Sequence, residues 1–256
     1  MSSGIAFTRA VSPRLAECET SQSFEGAIDA GRATGQHAAY ESALARAGLE
    51  IVRLAPLDDC PDGLFVEDVA LILGEHAIVT RPGAPSRAGE TASTAAGLAP
   101  HFTVHRLGAG RLDGGDVLRI GRTLHVGLSG RTDEAGIRAL ADLAAPLGYK
   151  VVPVRVSGCL HLKSAATHAG DLLVHNPDWV SAAAFAGVEP MSVAPGEAHG
   201  ANVVAAGGLL IAAADSPRTA ERLAGRGFEI VTLDISEIRK ADAALTCMSL
   251  IAERDA

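Results

Sequence analysis

Hydrophobic and polar positions along the chain follow one block that recurs five times. In each block, an alanine-rich stretch with helical spacing leads into a short segment rich in β-branched residues, which is typical of a strand. The five segments start roughly 40 to 50 residues apart and are GLEIVRL (48–54), HFTVHRL (101–107), GYKVVPV (148–154), GVEPMSV (187–193) and GFEIVTL (227–233). Such regular spacing predicts a repeat architecture.

Further strands complete each block. A second apolar strand follows a polar stretch in FVEDVALIL from Phe65, DVLRI from Asp116, HLKSAA from His161, NVVAA from Asn202 and LTCMSLI from Leu245. Tight turns lead from the first four into a third strand, in LGEHAIV, IGRTLHVG, HAGDLLVH and AGGLLIAA. The fifth block lacks this strand because the sequence stops at Ala256, and we expect the N-terminal segment 5–11 to take its place.

Closing the blocks into a ring removes the exposed sheet edge that an open array would leave. The sequence therefore predicts one domain over residues 1–256, an α/β fold in which ββαβ units form a five-bladed propeller. Helices are expected near 33–48, 86–98, 131–147, 177–186 and 216–226, with N-cap candidates at Ser86, Thr132, Asn176 and Ser216. The alternative is a doubly wound parallel sheet, which hairpins such as IGRTLHVG disfavour because they indicate antiparallel pairing.

Composition and charge narrow the class of protein. The net charge of −8 and an aromatic content of 4% disfavour a nucleic-acid partner, and the lack of an apolar run of about 18 residues disfavours a membrane partner. The four cysteines are scattered without metal-ligand spacing, which predicts free thiols in a reducing, cytoplasmic compartment and no dedicated metal site. No nucleotide-binding glycine motif is present, so we expect no cofactor.

Polar or reactive side chains recur where the second strand of each block begins. They are Glu67 with Asp68, Asp113 with Asp116, His161, Asn202 and Cys247. In a ring of equivalent blades these positions face one axis, so we expect a common pocket. A thiol, a histidine and several carboxylates suit nucleophilic catalysis on a cation, because a thiolate attacks, a histidine moves protons and carboxylates pair with positive charge.

Each of these residues also has a purely structural interpretation. Cys247 lies in an apolar segment, where a buried core thiol is common, and His161 can be a structural histidine. Asp113 and Asp116 in LDGGD suit a tight turn. Glu67 and Asp68 are harder to explain structurally: they interrupt a buried strand, and alternation puts them on opposite faces, so at least one needs a buried partner.

The motifs that carry this chemistry resemble a known family. PDGLFVEDVA at 61–70, TRPGAPSR at 80–87, LDGGDVL at 112–118, VGLSGRT at 126–132, LHLKS at 160–164 and LTC at 245–247 are similar, in this order, to the dimethylarginine dimethylaminohydrolases. These are guanidino-group-modifying enzymes with a five-bladed α/β propeller. The resemblance extends from about Arg9 to Ile251.

The resemblance implies a role for each matched residue. Cys247 would be the nucleophile, His161 the general acid and base, and Asp113 the residue that orients the histidine. The substrate-binding residues implied are Glu67 and Asp68 for the guanidinium, Arg87 and Arg131 for the α-carboxylate, Asp62 with backbone carbonyls near Thr20 and Ala241 for the α-ammonium, and Phe65 in the pocket wall. Residues of about 18–34 would form a lid.

The reaction implied is hydrolysis of Nω-methylated arginines to citrulline and methylamine or dimethylamine, through a covalent thiouronium on Cys247. The implied partner is a small cationic amino acid. One alternative is deimination of unmethylated arginine, because CMS at 247–249 also occurs in arginine deiminases. Another is an inactive, propeller-like binding protein. The choice among methylated substrates, and between a monomer and a homodimer, stays open.

Overall fold

The computed structural model describes residues 4–20 and 26–253, and its strands form five three-stranded sheets. In each sheet the middle strand is antiparallel to one neighbour and parallel to the other. The strands are β1 Gly4–Thr8, β2 Leu49–Arg53, β3 Ala70–Leu73, β4 His76–Val79, β5 Thr103–Arg106, β6 Val117–Ile120, β7 Thr123–Leu128, β8 Lys150–Arg155, β9 Ala166–Ala169, β10 Leu172–His175, β11 Glu189–Ser192, β12 Val204–Ala206, β13 Leu209–Ala213, β14 Glu229–Leu233 and β15 Leu250–Glu253. The predicted five-bladed α/β arrangement is confirmed.

The first and last strands close the ring. Strand β1 lies between β15, to which it is antiparallel, and β2, to which it is parallel, so Phe7 faces Leu250 on one side and Val52 on the other. The N-terminal segment therefore supplies the strand that the fifth block lacks, as predicted. Phe7 is fully buried and contributes to an apolar cluster with Leu54 and Leu98 between neighbouring sheets.

A helix follows the middle strand of four of the five sheets: α1 Ala30–Arg46, α2 Glu90–Leu98, α3 Glu134–Ala144 and α5 Pro217–Ala224. Two shorter helices lie elsewhere, α4 Leu162–Ala165 (before β9) and α6 Ser236–Lys240 (after β14). The Asp29 and Asp133 side chains cap α1 and α3 by accepting from backbone N–H groups, so the expected cap at Thr132 is wrong by one residue. Within the two described ranges, no helix is long and apolar enough to cross a lipid bilayer.

The helix expected over 177–186 does not form. Only a single 3₁₀ turn, Ala182–Ala184, is found there. The Asn176 side chain accepts from the Asp178 N–H at 3.0 Å, and the Asn176 carbonyl accepts from Trp179 and Val180, which closes a tight turn over 177–180. The turn does not continue into a helix, and the next backbone bonds are of the 3₁₀ type, from the Ala184 N–H to Ser181 and from the Phe185 N–H to Ala182.

We call β3, β6, β9, β12 and β15 the inner strands. A single helical turn precedes each of them, and these turns carry the candidate site. They are Val66–Val69, Gly114–Asp116, α4, Ala198–Ala201 and Thr246–Met248. The expectation that Glu67 and Asp68 lie in a strand on opposite faces is therefore wrong, because both belong to a 3₁₀ turn and both are buried. Neighbouring turns pack closely: a side chain at Gly114 would begin 2.0 Å from the Glu67 carbonyl oxygen.

Candidate active site

A small cavity lies among the turns. It is lined by Glu19, Asp62, Phe65, Asp68, Arg87, Arg131, Leu160, His161, Ala241, Asp242, Ala243 and Cys247. Eight of these were candidates from the sequence, and the structure brings them together from five separate segments. Glu19, Leu160, Asp242 and Ala243 were missed. Glu19 and Asp242 left a local signal, because each is a polar residue beside a predicted binding position, Thr20 and Ala241.

His161 is held between two carboxylates. It precedes α4, and its Nε2 lies 3.0 Å from Oδ2 of Asp113, which is fully buried and also accepts from the Gly83 N–H at 2.6 Å. Its Nδ1 lies 3.8 Å from Oδ1 of Asp68. Burial lowers the pKa of the ring, but the charge of Asp68 and the hydrogen bond to Asp113 outweigh burial and raise the pKa to about 9. The imidazole is therefore protonated at neutral pH and can act as an acid.

Cys247 lies in the middle of the Thr246–Met248 turn. Its Sγ accepts from the Ala244 N–H at 3.4 Å. Burial and the negative charges of Glu67 and Asp68 raise the pKa of the thiol to about 12. The sulfur is thus a neutral thiol until positive charge enters the cavity.

Asp68 and Arg87 form a buried ion pair in the cavity wall. Arg87 Nη1 lies 2.5 Å from Asp68 Oδ2, while Nε and Nη2 bind both oxygens of Glu90 at 3.0 and 2.8 Å. Nη2 also donates to the carbonyls of Phe65 and Asp62, at 2.8 and 3.2 Å. Although burial acts in the opposite direction, His161 and Arg87 lower the pKa of Asp68, so it carries a negative charge.

The two arginines predicted to bind the α-carboxylate differ in their surroundings. Arg87 is engaged on every side by protein groups. The side chain of Arg131 is 17% exposed and, among the described residues, meets a carboxylate only at Asp113, with 3.9 Å between Nη1 and Oδ2. Arg131 therefore has donors to offer a ligand, and its role as a carboxylate-binding residue stays a prediction.

Asp62 lines the cavity beside Glu19. Its Oδ2 accepts from the Glu19 N–H at 3.2 Å, and burial raises its pKa to about 6. Thr20 is exposed and does not line the cavity. The lid predicted over 18–34 includes residues 21–25, which lie outside the described part of the chain.

Glu67 faces away from this cavity. Its oxygens accept from Lys163 Nζ at 2.5 Å and Thr246 Oγ1 at 2.8 Å. Together with Lys163 it lines a second, larger cavity between the inner strands. Both oxygens of Glu67 already have partners, so its predicted contact with a guanidinium stays a prediction.

Asp68, Asp113 and His161 also stand close enough to share a metal ion, with ligand atoms within 4.8 Å of one another. In the structure these groups bind each other, Arg87 and backbone N–H groups instead. A hydrogen-bonded histidine between two acids is suited to proton transfer.

A five-bladed α/β propeller with a thiol, a histidine and carboxylates around its axis is the arrangement of the guanidino-group-modifying enzymes. A dimethylarginine dimethylaminohydrolase from Streptomyces coelicolor is 42% identical to this chain over 98% of its length and 97% of the relative. The Pseudomonas aeruginosa enzyme of the same name is 34% identical over 88% of this chain and 90% of its own. The chain belongs to the dimethylarginine dimethylaminohydrolase family.

Solved structures agree with this assignment. A cysteine-to-serine mutant of the Pseudomonas aeruginosa enzyme, complexed with citrulline, superposes with a TM-score of 0.94 and 31% identity, covering 98% of this chain and 100% of that one. No protein-family model matches the chain. The two relatives and the solved structure confirm the family resemblance seen in the sequence motifs.

Proposed function

We propose that this protein hydrolyses Nω-methylated arginines to citrulline and methylamine or dimethylamine, with Cys247 as the nucleophile. The observation that carries the proposal is the meeting of Cys247, His161 and Asp68 around one cavity. The relatives named for this activity and the citrulline bound in the Pseudomonas aeruginosa structure support it.

The charges of the cavity fit an amino acid with a cationic side chain. Asp68 is a negatively charged carboxylate in the cavity wall, where Glu67 is absent, and it keeps lone pairs beyond its bonds to Arg87 and the Gly115 N–H. Arg131 and Asp62 suit the α-carboxylate and α-ammonium groups. With a pKa of about 6, Asp62 is charged at neutral pH. We therefore assign recognition of the amino-acid end to Asp62 and Arg131, and recognition of the guanidinium to Asp68.

Substrate binding activates the thiol in this scheme. A guanidinium beside Cys247 offsets the negative charges of Glu67 and Asp68, which otherwise hold the thiol pKa at about 12. The Cys247 thiol then releases its proton to solvent water, the thiolate attacks the guanidinium carbon, and a carbon–sulfur bond forms. His161, protonated because of its pKa of about 9, gives its proton to the departing amine as the carbon–nitrogen bond breaks.

The second half of the reaction restores the enzyme. Neutral His161 takes a proton from water, and the resulting hydroxide attacks the thiouronium carbon. As the carbon–sulfur bond breaks, the hydroxyl proton of the adduct passes to the sulfur, which releases citrulline and restores the Cys247 thiol and the protonated histidine. Asp113 holds the ring through its 3.0 Å hydrogen bond in both halves. No cofactor is needed, because every proton and electron pair comes from substrate, water or these residues.

The experiment is citrulline release from asymmetric dimethylarginine, monomethylarginine and arginine, offered separately to the wild type, Cys247→Ser and Cys60→Ser. We expect turnover of the methylated substrates, a loss of at least about 1,000-fold in Cys247→Ser and wild-type rates in Cys60→Ser, since Cys60 does not line the cavity. Citrulline from arginine alone would contradict the substrate assignment. Equal activity in both serine variants would contradict the nucleophile.

We also propose the compartment and the binding partner for this activity. All four cysteines are free, which supports a reducing compartment such as the cytoplasm. The partner is a small guanidino compound, and one protomer supplies every residue that the scheme uses.

A further inference from the structure

Asn202 is a buried polar residue for which the scheme above has no role. It is 3% exposed and directly follows the Ala198–Ala201 turn, at the position of the repeat that holds Asp68 and Asp116 in two other blades. It does not line the substrate cavity. Its amide therefore acts through other residues.

The Asn202 amide holds the residue next to the nucleophile at two points. Its Nδ2 donates to Oγ1 of Thr246 at 3.0 Å, and its Oδ1 accepts from the Thr246 N–H at 3.1 Å. Thr246 Oγ1 in turn donates to Glu67 at 2.8 Å. The orientation of the turn that carries Cys247 is thus set by hydrogen bonds in three directions.

The same amide also reaches the turn that carries the histidine. Nδ2 donates to the backbone carbonyl of Lys163, two residues after His161, at 2.9 Å. One buried side chain therefore joins the nucleophile turn to the histidine turn, although they are 86 residues apart (247 against 161) in the chain. Two donated bonds and one accepted bond require an amide: a carboxylate lacks the donors, and an aliphatic side chain lacks all three.

We propose that Asn202 is a positioning residue that fixes Cys247 relative to His161. The inference rests on the proposed function, in which these two groups act in turn on one carbon. Small errors in such an arrangement reduce the rate strongly, whereas the groups that bind the substrate lie elsewhere in the cavity. Loss of the amide is therefore expected to lower kcat and leave KM nearly unchanged.

The test compares Asn202→Leu with Asn176→Leu. Asn176 is equally buried, at 3% exposed, and its Nδ2 donates to the Ala198 carbonyl at 3.1 Å, away from the cavity. We expect kcat for dimethylarginine to fall about 10- to 100-fold in Asn202→Leu, with KM within threefold, and to stay at the wild-type level in Asn176→Leu. A wild-type kcat in folded Asn202→Leu overturns the proposal.

A second pair of variants tests the contact if Asn202→Leu does not fold. Thr246→Val removes the hydroxyl in nearly the same volume, and Thr246→Ser keeps it. We expect the valine variant to lose kcat about 10-fold or more and the serine variant to retain most of it. Equal kcat in these two variants overturns the proposal, because the hydroxyl contact would then not position the nucleophile.

Alkylation of Cys247 by iodoacetamide, followed by mass spectrometry across pH, does not need turnover. We expect Asn202→Leu and Thr246→Val to change the alkylation rate at least threefold or to shift the pH midpoint of alkylation. Asn176→Leu should leave both unchanged. If the wild type turns over no substrate but alkylation shifts in this way, the proposed function fails and the positioning role stands. Unchanged alkylation together with unchanged kcat overturns the positioning role alone.

Discussion

Gly115 lies against both Asp68 and His161, the carboxylate and the histidine whose pKa it raises. Its N–H donates to Asp68 Oδ1 at 3.2 Å. A Cβ on this residue would begin 2.7 Å from that oxygen and 2.7 Å from His161 Nδ1. Its backbone is not in the left-handed region, so alanine can adopt the same conformation, and the effect of Gly115→Ala falls on the neighbouring side chains.

The size of the effect follows from these distances. Ordinary contact begins at 3.4 Å, so the ring and the carboxylate must each recede by about 0.7 Å. His161 has little room to do so, because its other nitrogen is bound to Asp113 at 3.0 Å. We expect kcat to fall about 100-fold, and the pKa of His161 to fall towards its ordinary value as Asp68 moves away.

The assay is steady-state citrulline release, with Gly35→Ala as the matched control. A Cβ at Gly35 meets nothing within 4 Å and lies inside α1, so the control should keep wild-type kcat and gain up to about 1 kcal/mol of unfolding free energy. The pH dependence of kcat reports the histidine. A Gly115→Ala protein with kcat within threefold of the wild type would refute the argument that this close approach positions His161.

Two further predictions concern single residues of the site. Arg131→Ala should raise KM for dimethylarginine about 10- to 100-fold, since charge-assisted hydrogen bonds to the carboxylate are lost, and should change KM for its decarboxylated analogue little; equal increases would contradict the assigned contact. The pKa of His161, about 9 in the fold against an ordinary 6.5, means that the protonated ring stabilises the protein. This contribution of about 3 kcal/mol should be complete below pH 6.5 and lost as pH rises through 9, whereas urea unfolding of His161→Gln should not show that loss; a pH-independent difference between the two proteins would count against it.

The sheets could be predicted from the sequence because their signals are local. Alternation, glycine turns and the spacing of the blocks each depend on a few neighbouring residues, and every observed strand overlaps a predicted segment. The second strands predicted from Phe65, His161 and Leu245 are wrong in their first residues, which form a helical turn before the strand begins. The position of β1 could be predicted because the fifth block lacked one strand and the N-terminal segment belonged to no block. The helix expected over 177–186 failed because the Asn176 turn depends on side-chain geometry that helical spacing does not reveal.

The candidate site was predictable as a set of residues, but not as a set of contacts. Repeat position and motif similarity indicated Cys247, His161 and Asp68, which line one cavity. Sequence reasoning could not show that Arg87 is occupied by Asp68 and Glu90, nor that Glu67 binds Lys163 and faces the other cavity. Glu90 is a local partner of Arg87, three residues away, but Asp68 and Lys163 lie far from their partners in the sequence, so packing of the turns selects them.

One device recurs between the turns and explains why they bear the chemistry. A side-chain oxygen at the end of one turn accepts from a backbone N–H of the next: Asp68 from Gly115 at 3.2 Å, Asp116 from Leu162 at 2.9 Å, and Asn202 from Thr246 at 3.1 Å. In the sequence each of these three acceptors directly precedes a valine, in VEDV, GGDV and GANV.

The repeated hydrogen bond stabilises the ring, and the side chain that accepts it can also take part in the reaction. It satisfies a buried N–H that a short turn cannot pair internally, so a polar side chain is required at this position whatever the protein does. Once buried beside the axis, a carboxylate there also carries charge. Asp68, which accepts the Gly115 N–H, therefore raises the pKa of His161 as well. Asn202 differs because its neighbours are the Lys163 carbonyl and the Thr246 hydroxyl, which call for donors. The site thus uses positions that the fold must already make polar, and the identity of each side chain reflects its local partners.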